Sequence, residues 1–133
     1  MADSAGTTTA ARVLVVDDDD LLRVTVRVRA EADPRFEVIG EASNGQIAVE
    51  MARTLQPDVI VLDHQMPVRT GIDALPDLRA AAPTSVIVVY SADDDPELRR
   101  AAMARGAQAF LVKGQDTLDD VVNLIIRLKG WLG

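Results

Sequence analysis

The residues with the clearest chemical potential are three acids, a serine and a lysine that end or follow short apolar runs. Asp17 and Asp18 follow VLVV, and Asp63 follows VIVL. Ser91 ends VIVVYS, and Lys113 follows AFLV. Carboxylates are hard oxygen ligands that suit Mg²⁺, and a carboxylate beside a cation can act as a nucleophile toward phosphorus. If the fold brings these side chains together, they predict a site for cation binding and phosphoryl transfer.

The apolar runs themselves predict a parallel β-sheet. They are continuous rather than alternating, which is typical of strands that are covered on both faces. Segments of helical length separate them, so the chain consists of five βα units and predicts an α/β fold with a five-stranded, doubly wound parallel sheet. The predicted strands are 12–17, 36–41, 58–63, 85–91 and 107–112, and the predicted helices are about 19–32, 44–55, 72–82, 95–105 and 117–129.

The strand order decides whether the reactive residues can meet. With the common order 2-1-3-4-5, the first, third, fourth and fifth strands are consecutive neighbours, and their carboxyl ends open into one crevice. Asp17, Asp18, Asp63, Ser91 and Lys113 would then face the same point. Lys113 is one of only two lysines in the chain, and its compact ammonium group suits a phosphate oxygen or a carboxylate.

Composition excludes several classes of function. A length of 133 residues fits one domain, and the net charge of −7 argues against direct nucleic-acid binding, which needs a clustered basic face. The absence of cysteine excludes a disulfide framework and a thiolate metal site. The N-terminus lacks the features of a signal peptide, and no segment reaches the roughly 18 apolar residues of a membrane span. We therefore expect a cytoplasmic protein with no membrane contact.

The chain is expected to contain one domain with short extensions. Residues 1–11 are small and polar and predict a flexible N-terminal tail. The domain is predicted over 12–130. Residues 131–133 form a C-terminal end that could begin a linker.

Three local features bear on the helices. Asp19 and Asp20 are both candidate caps for the first helix, with Asp20 preferred. The segment RVTVRVR, 23–29, alternates like a strand, but the βαβ rhythm favours a helix, in which Leu21, Val24, Thr25 and Val28 would form one stripe. Pro76 lies where the third helix should already be running, so that helix is expected to start late or to kink.

Four sequence elements together resemble the receiver domain of bacterial two-component response regulators, from Arg12 to about Lys129. None is specific alone, but their order and spacing are. The resemblance implies a (βα)5 flavodoxin-like fold and a signalling role rather than metabolite turnover. The elements are VLVVDD at 13–18, the VLDHQMP-VRTG run at 61–71, VVYSA at 88–92 and AFLVKG at 109–114.

The resemblance implies a role for each acid. Asp63 would be the phosphoacceptor, taking its phosphoryl group from the phosphohistidine of a sensor kinase or a phosphotransfer protein. Asp17 and Asp18 would hold Mg²⁺ together with Asp63 and the main-chain carbonyl of Gln65, and Mn²⁺ would substitute. The phosphorylated domain would then control an output domain or a partner protein, such as one that regulates transcription, and a homodimer is an open alternative.

The remaining site residues are expected to respond to the phosphoryl group or to limit its lifetime. The resemblance implies that Lys113 contacts the phosphoryl group, and that Ser91 and Phe110 form a switch that moves toward it. Gln65 and Asp93 each stand two residues after a site residue, and we expect them to set how fast water removes the phosphoryl group.

The sequence departs from the family pattern in two places at the site. Lys113-Gly114 stands where the family often has Lys-Pro with a cis bond, and a trans bond is predicted because a cis bond without proline costs about 3 kcal/mol. Phe110 lacks the hydroxyl of the commoner tyrosine.

His64, beside the acceptor, is interpreted as an exposed loop side chain, and Tyr90 as a core residue. The apolar Trp131 near the end slightly favours a fragment of a longer regulator over a stand-alone receiver.

Two alternative functions stay open. One is a pseudo-receiver, an interaction module that keeps the fold without being phosphorylated. The other is an aspartate-nucleophile phosphatase of the haloacid dehalogenase type, which Asp17-x-Asp19 would fit, but which leaves Asp63 without a role. An FMN carrier is disfavoured because four acids would repel the flavin phosphate.

Overall fold

The computed structural model describes residues 10–130, which form one α/β domain of five strands and five helices. The strands are β1 Ala11–Val16, β2 Phe36–Ala42, β3 Val59–Leu62, β4 Val86–Ser91 and β5 Ala109–Val112. The helices are α1 Asp20–Glu31, α2 Gly45–Leu55, α3 Gly71–Ala81, α4 Pro96–Ala104 and α5 Leu118–Leu128.

Only one predicted domain boundary, between residues 11 and 12, has described residues on both of its sides. Ala11, assigned to the N-terminal tail on sequence grounds, is instead the buried first residue of β1. It joins the sheet because its amide donates to the Arg35 carbonyl at 2.7 Å. The rest of the predicted tail, up to residue 9, and the predicted C-terminal end 131–133 lie outside the described residues. Within 10–130, no helix is long and apolar enough to cross a membrane.

All strand pairs are parallel, in the order β2-β1-β3-β4-β5, which confirms the predicted sheet. The register aligns the carboxyl ends of the central strands: Val16 pairs with Leu62, and Leu62 with Val89. At the sheet's far edge, Ser91 pairs with Val112. Asp17 and Asp63, which follow the paired residues Val16 and Leu62, are therefore neighbours at the carboxyl edge of the sheet.

The apolar runs of β1, β3 and β4 are continuous because these central strands bury both of their faces. One hydrophobic cluster includes Leu14, Ile60 and Ile87 and packs under α2, α3 and α4. The other includes Val13, Val61 and residues of α1 and α5. Successive residues of one strand thus enter opposite cores, since side chains alternate across a strand.

The first helix begins at its N-cap Asp19, not at the preferred candidate Asp20. The Asp19 carboxylate accepts from the amides of Leu21 and Leu22, while Asp20 is the first helical residue. The segment 23–29 is helical as predicted, and the buried residues of α1 are Val26 and Ala30. The predicted stripe of Leu21, Val24, Thr25 and Val28 is exposed instead.

Of the two expected effects of Pro76, the late start is wrong, because α3 begins at Gly71 and continues through Pro76; the kink stays a prediction. A proline in a helix cannot donate to the carbonyl four residues before it, here that of Ile72. The guanidinium of Arg105 donates to the Ile72 carbonyl at 3.2 Å and so replaces the missing partner.

Candidate functional site

The backbone fixes the positions of the predicted site residues at the carboxyl edge of the sheet. The Asp63 amide donates to the Val16 carbonyl at 2.9 Å, which holds the end of β3 beside the end of β1. The Lys113 amide donates to the Ser91 carbonyl at 2.8 Å, which ties the end of β5 to that of β4. Asp63 and Lys113 are thus placed by main-chain bonds, and their side chains start from fixed points.

Three carboxylates meet at this edge. One oxygen from each of Asp17, Asp18 and Asp63 lies within 4.8 Å of the others. Asp17 and Asp63 are 3% and 5% exposed, whereas Asp18 is exposed to solvent. A cluster of hard oxygen donors with one open side suits a cation that keeps part of its water shell, as Mg²⁺ does.

The ammonium of Lys113, which follows the edge strand β5, carries a positive charge that lies beside these acids. Its Nζ lies 2.7 Å from Asp17 Oδ2 and 3.5 Å from Asp63 Oδ1. Lys113 thus joins β5 to β1 across 96 residues of chain and offsets part of the repulsion between the two buried carboxylates.

The environment of Asp63 favours its neutral form. Burial, and then the negative charge of Asp17, raise the pKa of Asp63 to about 6. Lys113 and the amide of His64, which donates to Asp63 Oδ1 at 2.8 Å, act in the opposite direction. A carboxyl group with a pKa raised by burial beside a specific charge partner is typical of a functional site.

Ser91 and Phe110, the predicted switch residues, are both buried. The Ser91 hydroxyl accepts from the Asp93 amide at 3.2 Å and so stabilises the loop that follows β4. The Phe110 ring points into the core under α2, α3 and α4. Arg99 of α4 lies over that ring at 4.9 Å from its centroid, and its guanidinium also donates to the Phe110 carbonyl at 3.2 Å.

The two residues predicted to govern loss of the phosphoryl group contact each other. Gln65 Nε2 donates to Asp93 Oδ2 at 3.3 Å, which links the loop after β3 to the loop after β4. The Gln65 side chain is exposed. The metal-ligand role of its main-chain carbonyl stays a prediction.

The loop between Asp63 and α3 corrects the interpretation of His64. Its ring is half-buried rather than exposed, and Nδ1 accepts from the Ile72 amide at 3.4 Å. Burial lowers the pKa of His64 below its ordinary value. Gly71 closes this loop so tightly that a Cβ there would lie 2.0 Å from the Asp63 carbonyl oxygen.

Two other expectations at the site are confirmed. No cis peptide bond occurs in residues 10–130, so Lys113-Gly114 is trans, and Gly114 has a φ of +88° that favours glycine. Tyr90 is a core residue, and its hydroxyl donates to the Asp116 carbonyl at 2.9 Å.

Sequence reasoning missed Arg23 as a neighbour of the acids. Its guanidinium donates to the main-chain carbonyl of Asp17 at 2.5 Å and to Glu41 Oε1 at 3.1 Å, and it pairs with the Asp20 carboxylate. The available signal was the spacing, because a residue three after Asp20 lies on the same face of a helix.

Comparisons with known sequences agree with this geometry. A family model described as response regulator receiver domain matches residues 13–125. The nitrate/nitrite response regulator protein NarL of Escherichia coli K12 is 38% identical over 109 residues, which cover 82% of this chain and 50% of that protein. A protein-glutamate methylesterase/protein-glutamine glutaminase of Halalkalibacterium halodurans is 42% identical over 103 residues, which cover 77% of this chain and 30% of that protein. The chain thus spans half or less of the length of these relatives.

Solved structures match nearly the whole chain. The signal receiver domain of NarL from Mycobacterium tuberculosis has a TM-score of 0.83 at 30% identity and covers 90% of this chain and 96% of that one. The response regulator domain of Thermotoga maritima CheB has a TM-score of 0.79 at 30% identity and covers 90% and 92%. Family model, relatives and fold agree, and the chain belongs to the response regulator receiver domain family of two-component signal transduction.

Proposed function

We propose that this receiver domain accepts a phosphoryl group on Asp63 from the phosphohistidine of a sensor kinase or phosphotransfer protein. The observation that carries the proposal is the placement of Asp63. It is buried at the end of β3, with Asp17 and Asp18 oxygens within 4.8 Å and the Lys113 ammonium at 3.5 Å. A carboxylate in that position has the partners that a phosphoryl acceptor requires.

The donor set fits Mg²⁺. Asp17, Asp18 and Asp63 supply three carboxylates, and the main-chain carbonyl of Gln65 is the proposed fourth protein ligand, with water completing the shell. Mn²⁺ should substitute, because it accepts the same oxygen donors. When bound, the metal would neutralise charge on the acids and on the transferred oxygens.

Asp63 and Lys113 have separate proposed roles in phosphoryl transfer. Asp63 acts as the nucleophile in its ionised form, which a bound divalent cation would favour over the protonated form. Lys113 pairs with Asp17 at 2.7 Å. On phosphorylation its ammonium would shift to an oxygen of the phosphoryl group, since that oxygen carries more negative charge.

We further propose that Ser91 and Phe110 convert the phosphoryl group into a conformational signal. Ser91 would exchange its bond with the Asp93 amide for one with the phosphoryl group. That exchange would free the loop after β4, which the Arg99–Asp94 ion pair at 3.5 Å connects to α4. Because Arg99 also contacts Phe110, the movement would reach β5.

The Gln65–Asp93 hydrogen bond is proposed to slow hydrolysis of the phosphorylated aspartate. It joins the two loops on either side of the acceptor, where an attacking water must approach. Replacing Gln65 with alanine should shorten the lifetime of the adduct, measured by its decay in intact-mass spectra. A longer lifetime would contradict the proposed role.

The partners follow from the family. The proposed phosphodonor is a sensor histidine kinase or phosphotransfer protein, and the proposed location of this protein is the cytoplasm. The proposed receiver of the signal is an output domain, a separate partner or a second copy of this chain. The relatives' greater length is compatible with an output domain such as a transcription regulator. With Ala11 included in β1, the proposed domain extends over 11–130, without direct contact to nucleic acid or membrane.

The test is intact mass after incubation with acetyl phosphate, with and without Mg²⁺, on the wild type and on Asp63→Ala. We expect a Mg²⁺-dependent gain of one phosphoryl group in the wild type alone. Glu37→Gln, at an exposed position of β2, is the control and should gain the group normally. A wild type that binds Mg²⁺ yet forms neither an adduct with acetyl phosphate nor a complex with beryllofluoride would favour the pseudo-receiver.

A further inference from the structure

Arg23 is a charged side chain beside the acidic cluster to which the proposed function assigns no role. It lies one turn into α1, and its side chain is only 14% exposed. Its guanidinium contacts three separate elements: the end of β1 through the Asp17 carbonyl, the end of β2 through Glu41, and the start of α1 through Asp20. An enclosed guanidinium with three partners is held rigidly, because its planar fork fixes the direction of every bond.

The bond to Asp17 controls the direction in which Asp18 points. The carbonyl of Asp17 belongs to the peptide plane that joins the two acids, so a donor at 2.5 Å from its oxygen fixes that plane. The same turn is held on its other side by the Asp19 amide, which donates to Asp17 Oδ1 at 2.9 Å. Asp18 is exposed, and the orientation of its backbone is therefore the main constraint on its carboxylate.

The contact leaves the ligand atoms free. Arg23 bonds the main-chain oxygen of Asp17 rather than its carboxylate, and the other two contacts engage Glu41 and Asp20. It therefore places a positive charge beside four consecutive acids without occupying the oxygens that a cation needs. Lys113, by contrast, bonds the Asp17 carboxylate directly at 2.7 Å.

We propose that Arg23 is a positioning residue for the divalent-cation site, which holds the Asp17–Asp18 turn in the conformation that binds metal; this rests on the proposed function. Residues that orient metal ligands without touching the metal commonly change affinity by about 10- to 100-fold when they are replaced. Loss of the Arg23 bond lets the turn sample other conformations, and the apparent affinity falls with the fraction that remains competent.

The test compares Arg23→Lys with Arg27→Lys. Arg27 lies one turn further along α1 and pairs with the same Glu41, so both variants keep the charge and only one removes a bond to the Asp17 carbonyl. We expect isothermal titration calorimetry to show Mg²⁺ affinity about tenfold weaker in Arg23→Lys and within about twofold of wild type in Arg27→Lys. Mn²⁺ binding followed by electron paramagnetic resonance should give the same order.

Thermal unfolding without metal separates positioning from simple stabilisation. A merely stabilising Arg23 would lower the unfolding temperature of Arg23→Lys and leave its Mg²⁺ affinity at the wild-type value, which overturns the proposal. Glu41→Gln, which loosens the guanidinium and leaves the residues of the turn unchanged, should also weaken Mg²⁺ binding and serves if Arg23→Lys does not fold. Unchanged Mg²⁺ affinity in Glu41→Gln would also overturn the proposed positioning role of Arg23. Failure of the wild type to bind Mg²⁺ would instead refute the metal site of the proposed function.

Discussion

Replacing Asp63 with asparagine should stabilise the metal-free protein. The Asp63 carboxyl group is 5% exposed and lies beside the buried carboxylate of Asp17. At neutral pH it must ionise in surroundings that oppose the charge. Asparagine has nearly the same shape and removes that charge, so the repulsion with Asp17 and the desolvation penalty disappear together.

The raised pKa sets the size of the effect. The pKa of Asp63 is about 6, against an ordinary value of 3.8, and each pKa unit corresponds to about 1.4 kcal/mol. The ionised form therefore lowers the free energy of unfolding by about 3 kcal/mol at neutral pH. Because an asparagine amide must itself be buried near Lys113, we expect a net gain of about 1–3 kcal/mol.

The pH dependence follows from the direction of the shift. An acid whose pKa is raised by folding binds more protons in the native state than in the unfolded state. The penalty is therefore absent below a pH of about 3.8, grows as the pH rises, and is complete above about 6. The advantage of Asp63→Asn should appear across that same window.

Urea unfolding in the presence of a chelator, measured across this pH range, provides the assay. Glu37→Gln is the control, because it neutralises an exposed carboxylate of β2 and should change the free energy of unfolding by less than about 0.5 kcal/mol. Saturating Mg²⁺ should reduce the difference, since it stabilises only a wild type that binds it. A destabilised Asp63→Asn protein, or a gain that does not vary between acid and neutral pH, would refute the reasoning.

Three other substitutions have expected outcomes. Lys113→Gln should slow phosphoryl uptake from acetyl phosphate by about a hundredfold, because one electrostatic contact to the developing charge is lost; a rate near that of wild type would contradict this. Gly71→Ala should lower the free energy of unfolding by about 2 kcal/mol or more, because its Cβ would meet the Asp63 carbonyl at 2.0 Å, and urea unfolding would show a tolerated methyl as no change. Val68→Asn should raise the free energy of unfolding by about 1 kcal/mol, because Val68 has a φ of +67° that a β-branched residue adopts at a cost. Equal stability of variant and wild type in urea unfolding would argue against strain at Val68.

The sheet could be predicted from the sequence because its signals are local. Continuous apolar runs specify strands buried on both faces, and the helices between them carry their own caps, such as Asp95 before Pro96 and Thr117 before α5. The reactive acids directly follow the strands, so the predicted strand order was enough to bring Asp17, Asp63 and Lys113 to one edge.

The remaining features depend on contacts distant in sequence. The exposed stripe of α1 has the same helical spacing as a buried one, and only packing against the sheet and α5 decides that Val26 faces inward. The passage of α3 through Pro76 depends on Arg105, 33 residues from the carbonyl that it bonds. The contacts of Arg23 likewise require β1, β2 and α1 to be in place, so they were visible only in three dimensions.

Asp63, among three clustered acids, is the proposed site of phosphorylation. Borohydride reduction of the acetyl phosphate-treated protein, followed by peptide mass mapping, identifies the phosphorylated aspartate because an acyl phosphate is reduced to a homoserine side chain. We predict homoserine at position 63 alone, and only when Mg²⁺ was present. Homoserine at Asp17 or Asp18, with residue 63 unchanged, would contradict the account.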